Sequence, residues 1–242
     1  MSTWKWEGAR GAGAPEALAV VLPGVTLWWC GLERRPEDGA GSAALLSAAE
    51  SARAERFGTA PLRARWIAGR AALRMVLGQV LGIDPATVPI TRGPRGRPGL
   101  AGAGPDIDFN VSHTRGVALI AIARGQSGFT RVGVDIEHRD RAVGADRLAR
   151  KFLTPREQAT LEGLTPDMRR QRFLRHWTCK EAMSKATGDG LAAPFRRLDV
   201  ELTDPPRLVD GPAPYLPGRW TLRHADVPEE WLATVALWRG AG

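Results

Sequence analysis

Cysteine, lysine and long apolar runs are scarce in this sequence. Its 242 residues include two cysteines, Cys30 and Cys179, which provide neither a disulfide framework nor a four-ligand zinc site. We therefore expect a reducing, cytoplasmic environment. The apolar stretch 18–30 is interrupted by Pro23-Gly24 and is too short to span a membrane. No basic segment leads into an apolar run near the start, so we expect no secretory signal and no membrane association.

The shortage of lysine contrasts with an abundance of arginine. The chain has 30 arginines and 4 lysines, and its formal net charge is +8. This charge predicts an anionic partner, which on charge alone could be a nucleic acid, an acidic protein or a phosphorylated small molecule.

Much of the positive charge in the first half of the chain falls between residues 53 and 74. This stretch fits either a solvated helix face or a phosphate site. A nucleic-acid surface would add exposed aromatic side chains, whereas the aromatic residues here, Phe57 and Trp66, fit a core. The six arginines of the stretch are Arg53, Arg56, Arg63, Arg65, Arg70 and Arg74.

Hydrophobic periodicity divides the chain into groups of strands and helices. Strands are predicted at residues 25–30, 106–111, 117–123, 131–137, 194–202, 218–224 and 231–238. Helices are predicted at residues 43–56 and 60–81, after the capping box Thr154–Glu157, and at 166–187. The segments 34–44, 91–105 and 205–218 are predicted to be loops. The repeated order of strand, helices and strands predicts an α+β fold of two similar halves, 1–128 and 129–242.

Two carboxylates follow one face of the predicted strand 131–137. Asp135 and Glu137 are two residues apart, so both side chains point away from the apolar face. Such a pair is costly in an interior strand unless a cation compensates it, and Mg²⁺ takes oxygen ligands of this kind. An exposed edge strand, or a pair held by arginine, would explain the same pattern without a metal.

The predicted helix 166–187 carries a further charged group. Glu181 and Lys185 continue a stripe that begins with Phe173 and Trp177. A simple surface ion pair would explain the last two members. However, Lys180 and Lys185 are two of the four lysines, which favours a phosphate-binding or proton-transfer role for this helix.

His113 lies after a predicted strand, in the turn 112–116. Its neighbours Ser112, Thr114 and Arg115 are hydrogen-bond donors, which suits a phosphate group. A single histidine in a turn is more often structural, and the other histidines form no catalytic constellation with it.

These residues together resemble the motifs of the 4′-phosphopantetheinyl transferases. Gly133–Glu137 is similar to the family pattern G-[VI]-D-[IVL]-E, and Trp177–Lys185 to W-x-x-K-E-[AS]-x-x-K. Asn110–His113 resembles the N-[IV]-S-H turn, and Gly96–Pro98 the segment G-K-P, with Arg97 for lysine. Gly188–Leu191 completes the order with G-x-G-L. The length resembles the larger, surfactin-type branch, whose members are monomers of two similar subdomains.

The resemblance implies a role for each matching residue. Asp135, Glu137 and Glu181 would hold Mg²⁺, or Mn²⁺ in its place, and Glu181 is the candidate base for an incoming serine, directly or through water. Lys185 would contact the pyrophosphate of coenzyme A, with help from Lys180. The remaining implied coenzyme contacts are Ser112 and His113 at a phosphate, and Arg53, Arg65 and Arg97 at the 3′-phosphate and adenine end.

The resemblance also implies the reaction and the partner. A serine of an apo carrier protein of a fatty-acid, polyketide or nonribosomal-peptide synthase attacks coenzyme A, and 3′,5′-ADP leaves. The N-terminal half would hold the adenine end and the C-terminal half the metal, with the active site between them. Because carrier proteins are acidic, we expect docking near Arg139–Phe152, where basic residues predominate.

Two other functions are consistent with part of the sequence. A basic nucleic-acid-binding module would explain the charge, and it would show steeply salt-dependent binding to oligonucleotides. A carrier-binding relative without activity would explain the motifs, but the acidic positions are all retained.

Overall fold

Helices and antiparallel strands form the described part of the chain, which confirms the predicted α+β class. The computed structural model describes residues 14–18, 22–33, 39–102, 107–125 and 130–240. The strands are β1 (Glu16–Ala17), β2 (Val25–Gly31), β3 (Ile90–Arg92), β4 (Pro98–Leu100), β5 (Ile107–Thr114), β6 (Val117–Arg124), β7 (Thr130–His138), β8 (Asp199–Glu201), β9 (Arg207–Asp210), β10 (Trp220–His224) and β11 (Trp231–Arg239). The α-helices are α1 (Gly39–Ala44), α2 (Ala48–Glu55), α3 (Ala60–Leu81), α4 (Ala145–Phe152), α5 (Pro155–Ala159) and α6 (Pro166–Thr187).

Two antiparallel sheets lie at the centre. One has the strand order β1-β2-β6-β5, and the other β10-β11-β7. Apolar residues of both sheets, including Leu27, Leu119, Val134 and Val235, form one buried cluster between them. The long helices cover the outer faces: Leu77 of α3 packs in a cluster with residues of the first sheet, and α6 packs on β7 and β11. The layers therefore follow the order helix, sheet, sheet, helix.

The strands β5 and β7 are joined by side chains rather than by a backbone ladder. Alternate polar residues of β5 accept hydrogen bonds from backbone N–H groups of β7, so the alternation predicted from sequence has a structural use. The bonds run from Val132 N to Asp108 Oδ2 (2.7 Å), from Val134 N to Asn110 Oδ1 (3.1 Å) and from Ile136 N to Ser112 Oγ (3.3 Å). This junction sets the position of β7 against the first sheet.

Gly133 allows α6 to lie directly against β7. A Cβ atom at this position would stand 1.9 Å from the carbonyl oxygen of Ala182 and 2.7 Å from the amide nitrogen of Ala186. No side chain fits in that space. The glycine of the first motif therefore brings the helix that carries Glu181 and Lys185 onto the strand that carries Asp135.

Several predicted boundaries are wrong. Helices 60–81 and 166–187 are confirmed, but the predicted helix 43–56 is two helices, because Ser47 forms a capping box with Glu50 and starts α2. Each predicted loop contains an element: α1 begins at residue 39, β3 pairs with β4, and β9 pairs with β8. The predicted turn 112–116 is shorter, because β5 continues to Thr114. Strand 194–202 is reduced to β8.

Candidate active site

Three carboxylates meet where α6 packs on β7. Asp135 and Glu137 are 5 % and 7 % exposed, on the face of β7 that Gly133 leaves open to the helix. Glu181 approaches from α6, and its pKa responds to the charges of both strand carboxylates. The structure therefore brings together the three acidic residues that the sequence singled out.

Lys185 links this cluster to β5. Its Nζ donates to Asp135 Oδ1 (2.6 Å) and to Ser112 Oγ (2.7 Å). The Ser112 hydroxyl in turn donates to the same Asp135 oxygen (2.9 Å). The ammonium group of Lys185 therefore neutralises one carboxylate and places a positive charge beside the cluster.

The charge of Asp135 raises the pKa of both glutamates in the cluster. Burial first, and then the negative charge of Asp135, raise the pKa of Glu181 to about 7, against the opposing effect of Lys185. The same two causes raise the pKa of Glu137 to about 6, although the guanidinium of Arg141 is paired with it. Both side chains thus bind a proton more readily than an ordinary glutamate, and a cation beside them would reverse this shift.

Two carboxylate oxygens in the cluster are buried without a hydrogen-bond partner among the described residues. They are Oδ2 of Asp135 and Oε1 of Glu181. No group of three or more His, Cys, Asp or Glu side chains in the described ranges is already arranged as a metal cage. Unpartnered oxygens on neighbouring acids are nevertheless the donor chemistry that a hard divalent cation requires, so these residues fit such an ion.

Two cavities meet beside this cluster. A cleft of about 480 Å³ is lined by both strand carboxylates and by Lys185. A larger cavity of about 580 Å³ is lined by Arg53 and Arg65, two of the residues that the resemblance singled out. His113 lines both cavities and connects them. Displacement of water from its imidazole, followed by the charge of Lys185, lowers the pKa of His113 and favours the neutral ring.

Sequence reasoning assigned no individual role to part of the basic lining. Arg70, Arg92 and Arg115 also line the larger cavity. Arg70 stacks on the ring of Trp66, with its guanidinium carbon 5.6 Å from the ring centroid, and its Nη1 is buried without a hydrogen-bond partner in the described structure. Arg70 belongs to the arginine-rich stretch 53–74 and Arg115 to the turn 112–116, both noted from sequence, whereas Arg92 lies in a separate segment and required the fold.

Lys180 is not part of the site, and its predicted coenzyme contact is wrong. Its side chain is fully buried, and its Nζ donates to Glu157 Oε2 (2.6 Å) and to the carbonyl oxygens of Phe152 and Phe195. Glu157 also accepts from the backbone of Thr154 in the predicted capping box. This pair stabilises the packing of α5 against α6.

Arg97 does not line either cavity that contains the other candidates. Its side chain is 13 % exposed, and its guanidinium binds Asp108 together with the backbone oxygens of Val132 and Lys185. The predicted contact of Arg97 with the 3′-phosphate and adenine end is therefore not supported.

The segment Arg139–Phe152 borders the acidic cluster. Arg141 pairs with Glu137 inside the cleft, whereas Arg147, Arg150 and Lys151 are exposed. Phe152 packs against Trp177 of α6, with 5.0 Å between ring centroids. A basic, exposed surface thus leads directly to the carboxylates.

Comparison with known proteins places the chain among its relatives. Residues 131–236 match the 4′-phosphopantetheinyl transferase superfamily, and residues 35–124 match the N-terminal part of 4′-phosphopantetheinyl transferases. The 4′-phosphopantetheinyl transferase HetI of Nostoc sp. is 35 % identical over 228 residues, which are 92 % of this chain and 91 % of that protein. A 4′-phosphopantetheinyl transferase of Bacillus subtilis is 29 % identical over 161 residues, 66 % of this chain and 68 % of that protein.

The chain belongs to the 4′-phosphopantetheinyl transferase family. The family resemblance inferred from the motifs is therefore confirmed. Among the described residues, none of the helices combines the length and apolar composition that a membrane span requires.

Proposed function

We propose that this enzyme transfers 4′-phosphopantetheine from coenzyme A to a serine of an apo acyl or peptidyl carrier protein, in a Mg²⁺-dependent reaction that releases 3′,5′-ADP. The observation that carries the proposal is the meeting of an arginine-lined cavity and an acidic cleft at His113. Coenzyme A has two phosphate regions, at its ribose and at its pyrophosphate. The arginine-lined cavity suits the ribose phosphate, and the acidic cleft suits the pyrophosphate once Lys185 and a divalent cation held by the carboxylates balance its charge.

The larger cavity would hold the adenosine 3′-phosphate end. Arg53 and Arg65 are exposed at its wall and would pair with the phosphate, and His113 would donate a hydrogen bond from its ring. Lys185 and Ser112 would then face the pyrophosphate in the adjoining cleft.

Asp135, Glu137 and Glu181 would hold Mg²⁺, or Mn²⁺, beside the pyrophosphate. When bound, the ion neutralises phosphate charge and stabilises the charge that develops on the leaving group. The unpartnered Oδ2 of Asp135 and Oε1 of Glu181 support this assignment.

Glu181 is the proposed base. A carboxylate has two oxygens, so Glu181 would hold the ion through the unpartnered Oε1 while its other oxygen takes the serine proton, directly or through a water molecule. The serine hydroxyl of the carrier loses its proton to Glu181 as its oxygen forms a bond to the β-phosphorus of coenzyme A. The bond between that phosphorus and the bridging oxygen breaks, and 3′,5′-ADP carries the electron pair away.

The carrier would dock on the basic segment Arg139–Phe152. An acidic partner of a fatty-acid, polyketide or nonribosomal-peptide synthase suits the exposed arginines of α4, and docking there would place its serine at the acidic cleft. We further propose a cytoplasmic monomer of the larger, surfactin-type branch, divided at residue 128. One sheet covered by a long helix in each half supports this division.

Intact mass spectrometry tests the function directly. The enzyme is incubated with coenzyme A, Mg²⁺ and a panel of apo carrier domains, and the expected result is one phosphopantetheine added to a carrier. Removal of Mg²⁺ with a chelator and the variant Glu181→Gln should each abolish the added mass. The matched control Glu162→Gln changes an exposed acid outside the cluster and should leave transfer intact. An unmodified panel would contradict the proposal, and full activity of Glu181→Gln would exclude the assigned base.

A further inference from the structure

We propose that Arg97 is a positioning residue that fixes the backbone of Lys185, and thereby its amine, instead of contacting coenzyme A. This inference rests on the proposed function and replaces the role that the motif resemblance implies for Arg97. It predicts that the residue acts on turnover and leaves binding of the adenine end unchanged.

The guanidinium of Arg97 has no donor left for a ligand. Nε donates to the carbonyl oxygen of Lys185 (2.9 Å), and Nη1 to Asp108 Oδ1 (2.9 Å) and to the carbonyl oxygen of Pro98 (3.4 Å). Nη2 donates to Asp108 Oδ2 (2.7 Å) and to the carbonyl oxygen of Val132 (2.8 Å). An arginine has five N–H groups, so every one is engaged by protein.

Arg97 contacts α6 in its last turn, where backbone carbonyl groups lack intrahelical hydrogen-bond donors. The last carbonyl groups of a helix have no intrahelical donor, and they carry the negative end of the helix dipole. Arg97 supplies both a donor and a positive charge to the carbonyl group of Lys185 in this last turn. It therefore orders the turn from which the lysine side chain extends.

The same guanidinium ties that turn to both sheets. Asp108 belongs to β5 and Val132 to β7, the strands that also carry Ser112 and Asp135, the two partners of the Lys185 amine. The backbone of Lys185 and the acceptors of its amine are thus held in one frame. Substitution of Arg97 would free the backbone of Lys185, while Ser112 and Asp135, the acceptors of its amine, would remain in their strands.

The position of Arg97 separates it from the coenzyme cavity. Its sequence neighbour Pro98 and the nearby Arg92 line the larger cavity, whereas Arg97 turns toward α6, where its side chain packs against Gly188. A bidentate pair with a carboxylate depends on the planar fork of arginine, and lysine cannot reproduce it. Arg97→Lys therefore keeps the positive charge and removes the contacts that join Lys185 to Asp108 and Val132.

The test compares Arg97→Lys and Arg97→Gln with the wild-type enzyme. We expect both variants to lower kcat at least tenfold, while the Kd for adenosine 3′-phosphate, which lacks the pyrophosphate that Lys185 would face, stays within twofold when measured by calorimetry. In a crystal structure of Arg97→Lys, the distance from Lys185 Nζ to Asp135 Oδ1, 2.6 Å here, should exceed hydrogen-bond range. The matched control Arg95→Gln removes an ion pair with Asp189 from the same turn and should retain kcat.

Two results would overturn the inference. One is wild-type kcat in Arg97→Lys combined with weaker binding of adenosine 3′-phosphate by Arg97→Gln, which is the pattern of a ligand contact. The other is an unchanged position of the Lys185 amine in Arg97→Lys. A wild-type enzyme without transferase activity would contradict the proposed function instead, and the crystallographic distance would still decide the role of Arg97.

Discussion

At the scale of single residues, Glu181 has the properties of a functional group rather than a stabilising one. It combines a pKa raised to about 7 with a buried oxygen that has no hydrogen-bond partner among the described residues. Both features cost folding free energy. A side chain retained for stability would have a partner, so the cost indicates a role in binding or proton transfer.

This cost predicts that Glu181→Gln stabilises the metal-free protein at high pH. Below pH 4 the carboxyl group is protonated in both states and contributes no difference. As the pH rises from about 4 to 7, the unfolded chain ionises first, so the wild-type protein loses stability while the variant does not. Above pH 7 the variant should be more stable by about 1–3 kcal/mol. Urea denaturation at pH 4.5 and pH 8 measures the difference.

Added Mg²⁺ and a second variant serve as controls for this measurement. Mg²⁺ should stabilise the wild-type protein at pH 8 and have little effect on Glu181→Gln, because a bound ion stabilises only the form that holds it. Glu162→Gln should show no pH-dependent difference. A Glu181→Gln protein less stable than wild type at pH 8 would show that the carboxylate is paired in the folded state.

The different positions of Lys180 and Lys185 in the structure show which site residues were predictable from sequence. Lys180 and Lys185 are five residues apart, which places them about 140° from each other around a helix. Only Lys185 continues the stripe of Phe173, Trp177 and Glu181, so the helical spacing available from sequence aligns this lysine, and not Lys180, with the site glutamate. Arg70 and Arg92 could not be grouped from sequence alone, because α3 and the β3–β4 hairpin come together only in the fold.

At the scale of secondary-structure elements, the site depends on the close packing of α6 on β7. Long elements such as α3 and α6 were predictable, since each has a Thr N-cap, a proline in the first turn and a glycine after the last residue. Short elements depend on partners distant in sequence. The pairing of β3 with β4 inside a Gly- and Pro-rich segment is an example.

Gly133→Ala tests this packing. The added methyl group would meet the backbone of Ala182 and Ala186, which cannot rotate away as a side chain could. We expect a loss of about 3 kcal/mol or more in unfolding free energy, together with a large fall in kcat, because α6 carries Glu181 and Lys185. The control Gly218→Ala adds a methyl group in open space and should be neutral. Wild-type stability of Gly133→Ala would mean that α6 can move away from β7 at no cost.

At the scale of the whole molecule, the basic residues behind the net charge of +8 lie in two separate regions. Arginines of α2, α3 and the β3–β4 hairpin surround the larger cavity, and a second basic surface follows the acidic strand β7. Between them lies the acidic cluster. This alternation of charge orders the proposed partners, with the coenzyme on one side of the carboxylates and the acidic carrier on the other.

If the basic surface after β7 docks the carrier, reversing its charge should weaken carrier recognition. The double variant Arg150→Glu/Lys151→Glu reverses two exposed charges of α4. We expect kcat/KM for the carrier to fall at least tenfold at low salt, because steering by charge acts mainly on association. KM for coenzyme A should not change, and the salt dependence of the carrier reaction should weaken.

The control must change the net charge equally at another place. Arg207→Glu/Arg219→Glu also reverses two exposed arginines, on β9 and immediately before β10. If docking is local, this variant keeps most of the wild-type kcat/KM for the carrier, whereas an effect equal to that of the α4 variant would mean that total charge alone attracts the carrier. Steady-state assays at 20 and 300 mM salt separate the two cases, since only a local contact leaves a difference between variants of the same net charge.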